Sequence, residues 1–258
     1  MADTQHFRMA VKTKQRIYLP LGLDRPPRRN DRHCGVPDLL WAVLRTDSRA
    51  AGLLLRHWST AEDQLAVSRR ESRVARALAR RLLVEVTGIS GNDWSIRYLR
   101  SGRPISMNRR RGIGPAISIS HSQGWVACVA STTTAVGIDI EVNTRARDFE
   151  GIAHLAFGAG EQARIARDGL SAFYRIWTLR EALAKALGVG LEFVCDGHDY
   201  FEDGPDDGAW LINRVGAGSF VVHSARDLNI TLALASANIR SLARRNDWVR
   251  SRRIIAGG

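Results

Sequence analysis

Cysteine is scarce in this chain, and the three present, Cys34, Cys128 and Cys195, lie far apart. An odd number with no paired spacing supports neither a disulfide framework nor a zinc site. Cys128 falls inside the apolar run Trp125-Val126-Ala127-Cys128-Val129-Ala130 and reads as core. Long apolar runs are missing too. None approaches the roughly 20 residues needed to cross a bilayer, and the first residues show no signal-peptide h-region. No membrane partner is therefore expected, and the expected location is the cytoplasm. Several catalytic signatures are absent as well: a Gly-x-Ser-x-Gly elbow, a P-loop and a kinase-type glycine motif. No internal repeat is evident.

Acid is the remaining shortage. Aspartate and glutamate number 26 against 38 lysines and arginines, a formal net charge of +12 over 258 residues. Nucleic acid, a polyanionic small molecule and an acidic protein are the partners such a balance suits. A nucleic-acid-binding protein without catalysis is thus one reading. It requires aromatic residues interleaved with basic ones, or a helix-turn-helix signature, and neither is found. The excess gathers at residues 69–81, at Arg109-Arg110-Arg111 and in the tail Arg244 to Arg253, which reads as a solvated end.

What is present is an ordinary globular composition, 45% hydrophobic and 25% charged. Leu19 to Asp38 is rich in proline, arginine and asparagine and predicts an exposed loop. Leu39 to Val43 predicts a strand, and Ser59 or Thr60 a helix cap. Arg73 to Val86 is a helix with an apolar stripe at Val74, Ala77, Leu78 and Leu82, its arginines mostly on the other faces. Ile117–Ser120 and Trp125–Ala130 predict a hairpin, and Val136–Glu141 a third strand. Gly160–Ala166 and Ala172–Leu187 predict helices, the second ended by Gly188 and Gly190. Leu191–Cys195, Trp210–Asn213, Phe220–Ser224 and Ile230–Ala235 predict an antiparallel meander. The fold class is α+β, in two tightly packed halves, 1–134 and 135–258.

Three segments carry chemistry. In Val136-Gly137-Ile138-Asp139-Ile140-Glu141 strand alternation puts Asp139 and Glu141 on one face. Unpaired, the two carboxylates would repel, and a Mg²⁺ ion between them would remove that cost. Two solvated acids at a strand edge are the plainer alternative. Trp177, Glu181 and Lys185 form an i, i+4 stripe on a helix, where Glu181–Lys185 could equally be an ordinary surface pair. Ser120 and His121 end a strand downstream of Arg103 and Arg109–Arg111, and such groups hydrogen-bond phosphate oxygens. A structural histidine is the alternative there.

Taken in order, Gly102-Arg103-Pro104, Ile119-Ser120-His121-Ser122, Val136-Gly137-Ile138-Asp139-Ile140-Glu141, Phe157…Glu161 and Trp177-x-x-Arg180-Glu181-Ala182-x-x-Lys185-Ala186 resemble the 4′-phosphopantetheinyl transferases of the surfactin-synthetase-activating type. These motifs span residues 102–186, and the helix from Glu71 to Leu83 resembles the family's arginine-bearing N-terminal helix. The resemblance implies a monomer of two similar α+β halves about a pseudo-twofold axis, with the active site at their junction. It implies transfer of the phosphopantetheine arm of coenzyme A to a serine of an acidic apo-carrier protein, releasing 3′,5′-adenosine bisphosphate. Mg²⁺, or Mn²⁺, would be held by Asp139, Glu141 and Glu181, with Glu141 acting directly or through a water. Glu181 would take the serine proton, and Lys185 would contact a phosphate. Ser120 and His121 would bind the 3′-phosphate, Arg103 would lie beside the nucleotide, and Arg73 would add a phosphate contact. The chain departs from the family at Arg103 and Arg180, where lysine is frequent. It also lacks the lysines that often precede the N-terminal helix, a role left here to Arg69 or Arg70.

Overall fold

The computed structural model describes residues 39–66, 69–143, 148–201, 208–212, 220–227, 229–236 and 253–256. The expected loop from Leu19 to Asp38 lies outside them, as does the basic tail up to residue 252.

Strand β1 (Leu39–Arg45) leads to helices α1 (Arg49–Trp58), α2 (Ala61–Ala66) and α3 (Arg70–Thr87). Ser48 caps α1 by accepting from Ala51 N (3.2 Å). Thr60 and Asp63 form a reciprocal capping pair for α2, each side chain accepting from the other's backbone N–H. Both long helices, α3 and α6 (Leu170–Leu187), end on a left-handed glycine, Gly88 (φ 68°) and Gly188 (φ 73°). Between them lie β2 (Trp94–Tyr98), β3 (Pro104–Asn108), β4 (Gly112–Ile113), β5 (Ala116–Ser122), β6 (Trp125–Ser131), β7 (Val136–Val142), α4 (Phe149–Ala156) and α5 (Ala159–Asp168). After α6 come β8 (Gly208–Ile212), β9 (Phe220–Asp227), β10 (Ile230–Ser236) and β11 (Arg253–Ala256).

The strands form a sheet in the order β11-β1-β6-β5, a second in the order β7-β10-β9-β8, and a small one, β2-β3-β4. Helix and sheet are mixed, with antiparallel pairing throughout except where β11 runs parallel to β1. The outer face of β1 and β6 packs Ala42, Leu44, Val126 and Cys128 against Val74, Leu78 and Leu82 of α3. Their inner face, Trp41, Val43, Ala127 and Val129, meets Ile138, Ile140, Leu232 and Leu234 of the second sheet. On its far side that sheet carries α6 through Phe173, Leu179, Leu183 and Ala233. β6, β7 and β10 are thus buried on both faces, which explains their near-continuous apolar sequence.

β5 lies against β7, and serine hydroxyls tie the two strands across the seam. Ser118 Oγ accepts from Ile138 N (3.1 Å), and Ser122 Oγ accepts from Val142 N (3.4 Å). On the other side of β7, Gly137 touches the helix backbone: an added Cβ would lie 1.9 Å from the Ala182 carbonyl oxygen. Only glycine lets α6 ride this close.

Two expectations are corrected. Leu191–Phe193 forms a single 3-10 turn, not a strand, because buried Val194 anchors the segment to the α6 core between Gly190 and Gly197. In α3, Arg80 and Arg81 do not face solvent; they are only 2% and 3% exposed. Arg80 is paired with buried Asp63 (2.8 Å) and donates to the Trp94 carbonyl (3.0 Å). Part of the basic cluster at 69–81 is therefore internal structure. The sequence reading also passed over α1, α4 and the small β2-β3-β4 sheet.

Candidate active site

β7 and α6 meet where Gly137 allows it, and two turns of α6 past Trp177 the contact becomes polar. Trp177 stacks on Phe173 (5.9 Å between centroids) at the apolar end of the predicted stripe. Glu181 and Lys185 continue that stripe into a cavity of about 320 Å³, whose wall also includes Ser72, Tyr98, Gly102, Pro104, Ser120 and His121. The size is that of a small-molecule site.

Asp139 is the hub. It is 2% exposed, and its Oδ1 accepts from Ser120 Oγ (2.7 Å) and from Lys185 Nζ (2.6 Å). Its Oδ2 is buried with no hydrogen-bond partner. Lys185 Nζ also lies 3.5 Å from Glu181 Oε2. Glu141, 8% exposed, accepts from Ser122 Oγ (2.8 Å). The solvated strand edge is thereby ruled out, and Glu181–Lys185 is no surface pair. Alternation does put both β7 acids on the face away from Ile138 and Ile140.

Burial, and then the Asp139 carboxylate beside it, push the Glu181 carboxyl up to about 7. Burial alone would lower the Lys185 ammonium, but Asp139 and then Glu181 hold it above its ordinary value. The cluster is an acid-rich pocket end with one resident ammonium. Its donors are all carboxylate and hydroxyl oxygens, and the orphaned Asp139 Oδ2 is a free ligand position, so the residues fit a hard cation such as Mg²⁺. Among the described residues, no three His, Cys, Asp or Glu side chains lie close enough together to hold a metal.

Ser120, His121, Glu181 and Lys185 all line the one cavity, and Asp139 joins them through its two hydrogen bonds. Glu141 adjoins through Ser122. Arg103 is not in the cavity wall; its guanidinium lies over Gly188, where an added Cβ would stand 2.1 Å from Nη1. It sits at the negative end of the α6 dipole, flanked by wall residues Gly102 and Pro104. Arg73 follows Ser72 on α3 but is not in the wall either. Arg70 is committed to the Thr46 carbonyl (2.9 Å). Arg180 is structural: it is fully buried, ion-paired with Glu161 and stacked over Phe157 and Tyr200 at 4.6 Å. Sequence reasoning passed over Tyr98 and Ser72, and it quoted Ser122 within a motif without giving it a role. Ser122 had a signal, since period-two alternation along β5 puts it on the face of Ser118 and Ser120.

Residues 135–232 match the 4′-phosphopantetheinyl transferase superfamily. That segment contains Asp139, Glu141, Glu181 and Lys185, but neither Ser120 nor His121. The chain is 29% identical over 127 residues to the 4′-phosphopantetheinyl transferase HetI of Nostoc sp., covering 48% of this chain and 54% of that protein. It is 31% identical over 119 residues to the 4′-phosphopantetheinyl transferase gsp of Aneurinibacillus migulanus, 44% of this chain and 46% of the relative. A shorter stretch of 75 residues is 36% identical to the 4′-phosphopantetheinyl transferase AcpT of Salmonella typhi, 28% of this chain and 39% of that one. The chain spans about half the length of the curated relatives it matches. The likeness is to one enzyme class throughout, and the family match covers the acid cluster.

Proposed function

We propose that the protein is a Mg²⁺-dependent transferase of the surfactin-synthetase-activating type, moving the 4′-phosphopantetheine arm of coenzyme A to a serine of an acidic apo-carrier protein. The observation that carries this reading is the Asp139–Lys185–Glu181 cluster at one end of a cavity whose wall includes Ser120 and His121. In the reaction the serine oxygen bonds to the pyrophosphate phosphorus that bears the pantetheine arm. The bond from that phosphorus to the bridging oxygen breaks, and 3′,5′-adenosine bisphosphate leaves. Glu181 accepts the serine proton on a carboxylate oxygen, a task for which a value near 7 is suited. Lys185 moves its ammonium from Asp139 to a phosphate oxygen.

Asp139, Glu141 and Glu181 are the residues proposed to hold Mg²⁺ (Mn²⁺ accepts the same oxygens), and the ion would supply charge neutralisation at the pyrophosphate. Ser120 and His121 are assigned to the 3′-phosphate, with Arg103 and Arg73 as outlying cationic groups. The same reading takes 1–134 and 135–258 as two similar halves about a pseudo-twofold axis, each with a four-stranded sheet faced by one 18-residue helix, the first sheet also taking in β11 and the first half also holding the small β2-β3-β4 sheet. It takes the working unit as a cytoplasmic monomer with no nucleic-acid or membrane partner. Among the described residues no helix is long and apolar enough to cross a membrane.

The test is incubation with coenzyme A, Mg²⁺ and a panel of apo-carrier proteins, followed by mass spectrometry. A phosphopantetheine adduct on a carrier serine is expected. Asp139→Ala and Glu181→Ala should each cut the rate by at least about 10²-fold while circular dichroism stays unchanged. Folded wild type that modifies no carrier overturns the reading.

A further inference from the structure

The β5–β6 hairpin, which carries His121, turns through Gln123 (φ 44°) and Gly124 (φ 85°). Two hydrogen bonds fasten that turn. Thr46 N donates to the Gly124 carbonyl (2.8 Å), and Gly124 N donates to Glu71 Oε1 (2.7 Å). The second oxygen of the same carboxylate, Glu71 Oε2, lies 3.5 Å from His121 Nδ1. Glu71 stands in the first turn of α3, next to Ser72, and Ser72 lines the cavity with His121. One side chain thus clamps the hairpin and faces the imidazole from behind.

We propose that Glu71 is the positioning residue of His121, holding Nδ1 so that Nε2 serves an anion in the cavity. This rests on the reading above that His121 receives the 3′-phosphate. The two imidazole nitrogens are distinct, and a partner on one of them fixes both ring orientation and proton placement at the other. An acidic residue in a first helical turn has a plainer use, favourable interaction with the helix dipole. That use explains neither the bond to Gly124 nor the approach to His121. A glutamine at position 71 can still accept from Gly124 N and so keeps the clamp. Between the Glu71 carboxylate at Nδ1 and a phosphate at Nε2 the ring donates from both nitrogens, as only the imidazolium can. Glutamine gives Nδ1 no charged acceptor, and its amide N–H₂ facing Nδ1 leaves a neutral ring that still donates from Nε2 but brings no charge to the phosphate.

The experiment therefore compares wild type with Glu71→Gln and Glu71→Ala in the full chain. Calorimetric titration uses 3′,5′-adenosine bisphosphate and, as the ligand lacking the 3′-phosphate, 5′-adenosine monophosphate. For Glu71→Gln the bisphosphate is expected to bind about tenfold more weakly, the monophosphate unchanged, and the thermal midpoint unchanged. The ¹⁵N resonances of His121 should show Nδ1 protonated in wild type, with and without ligand, and unprotonated in Glu71→Gln, with Nε2 protonated in both bisphosphate complexes. Glu71→Ala, which also loses the clamp, should lower the midpoint. Equal bisphosphate affinity in wild type and Glu71→Gln, or equal weakening for both ligands, overturns the proposal. Wild type that binds neither ligand counts against the phosphate assignment of His121. The ¹⁵N spectrum then still decides Glu71's hold on the ring, and unchanged resonances in Glu71→Gln would overturn it.

Discussion

At Glu181, burial and the neighbouring Asp139 act in the same direction, and the resulting value of about 7 has a signed consequence for stability. The folded protein binds this proton more tightly than the unfolded chain, whose glutamate titrates near 4.5. The contribution to stability is fully present below about 4.5 and is lost as pH rises through about 7. A divalent cation needs the ionised carboxylate, so its binding releases the proton and strengthens over the same range. The rise in thermal midpoint on adding Mg²⁺ should therefore be small near about pH 6, larger near about pH 8, and level beyond. A gain equal at both values would remove Glu181 from the ligand set. Period two on a strand and i, i+4 on a helix made the faces of Asp139, Glu141, Glu181 and Lys185 legible in the sequence, while the resemblance, not the period, set them above two solvated acids and a surface pair. The orphaned Oδ2, the serine partners and Glu71 were not legible, since they depend on which strand and helix lie opposite.

The elements themselves were read well where one face is buried and poorly where local signals are weak. The arginine-bearing helix, the β5–β6 hairpin and β7 follow from apolar period and glycine punctuation. α1 was missed, with its apolar residues split by Gly52 and Arg56, and Leu191–Phe193 was misread because a short apolar run does not distinguish strand from turn. Gly137 shows what sequence leaves implicit. It occurs in a strand, where glycine is unfavourable, and its cause is the α6 backbone at Ala182 and Ala186. Gly137→Ala should push α6 away from β7. The expected cost is about 1–3 kcal/mol or more in denaturant unfolding, together with loss of the Lys185–Asp139 pairing and, on the proposed function, of transfer activity. Near-normal stability and rate in this variant would mean that the two elements have room to separate without disturbing the acids.

For the molecule as a whole, α+β character was legible from composition and element order, but the source of the excess charge was not. Arginines counted in the basic cluster at 69–81 turn inward, with Arg80 neutralised by Asp63 in the core. The charge available to a partner is therefore smaller and differently distributed than the sequence suggests. Exposed Arg109, Arg110 and Arg111 belong to the β3–β4 turn, in the same small sheet as cavity-lining Tyr98 and Pro104. A field from that side would speed encounter with an acidic carrier, and salt would screen it, since the Debye length falls from about 10 Å at 0.1 M to about 3 Å at 1 M. On the proposed function, kcat/KM for an acidic carrier should fall several-fold from low to high ionic strength. Replacing Arg109, Arg110 and Arg111 together with glutamine should flatten that dependence while leaving kcat at saturating carrier unchanged. Steering acts on encounter and not on the acid cluster at β7 and α6, so a loss of kcat in the triple variant would contradict it.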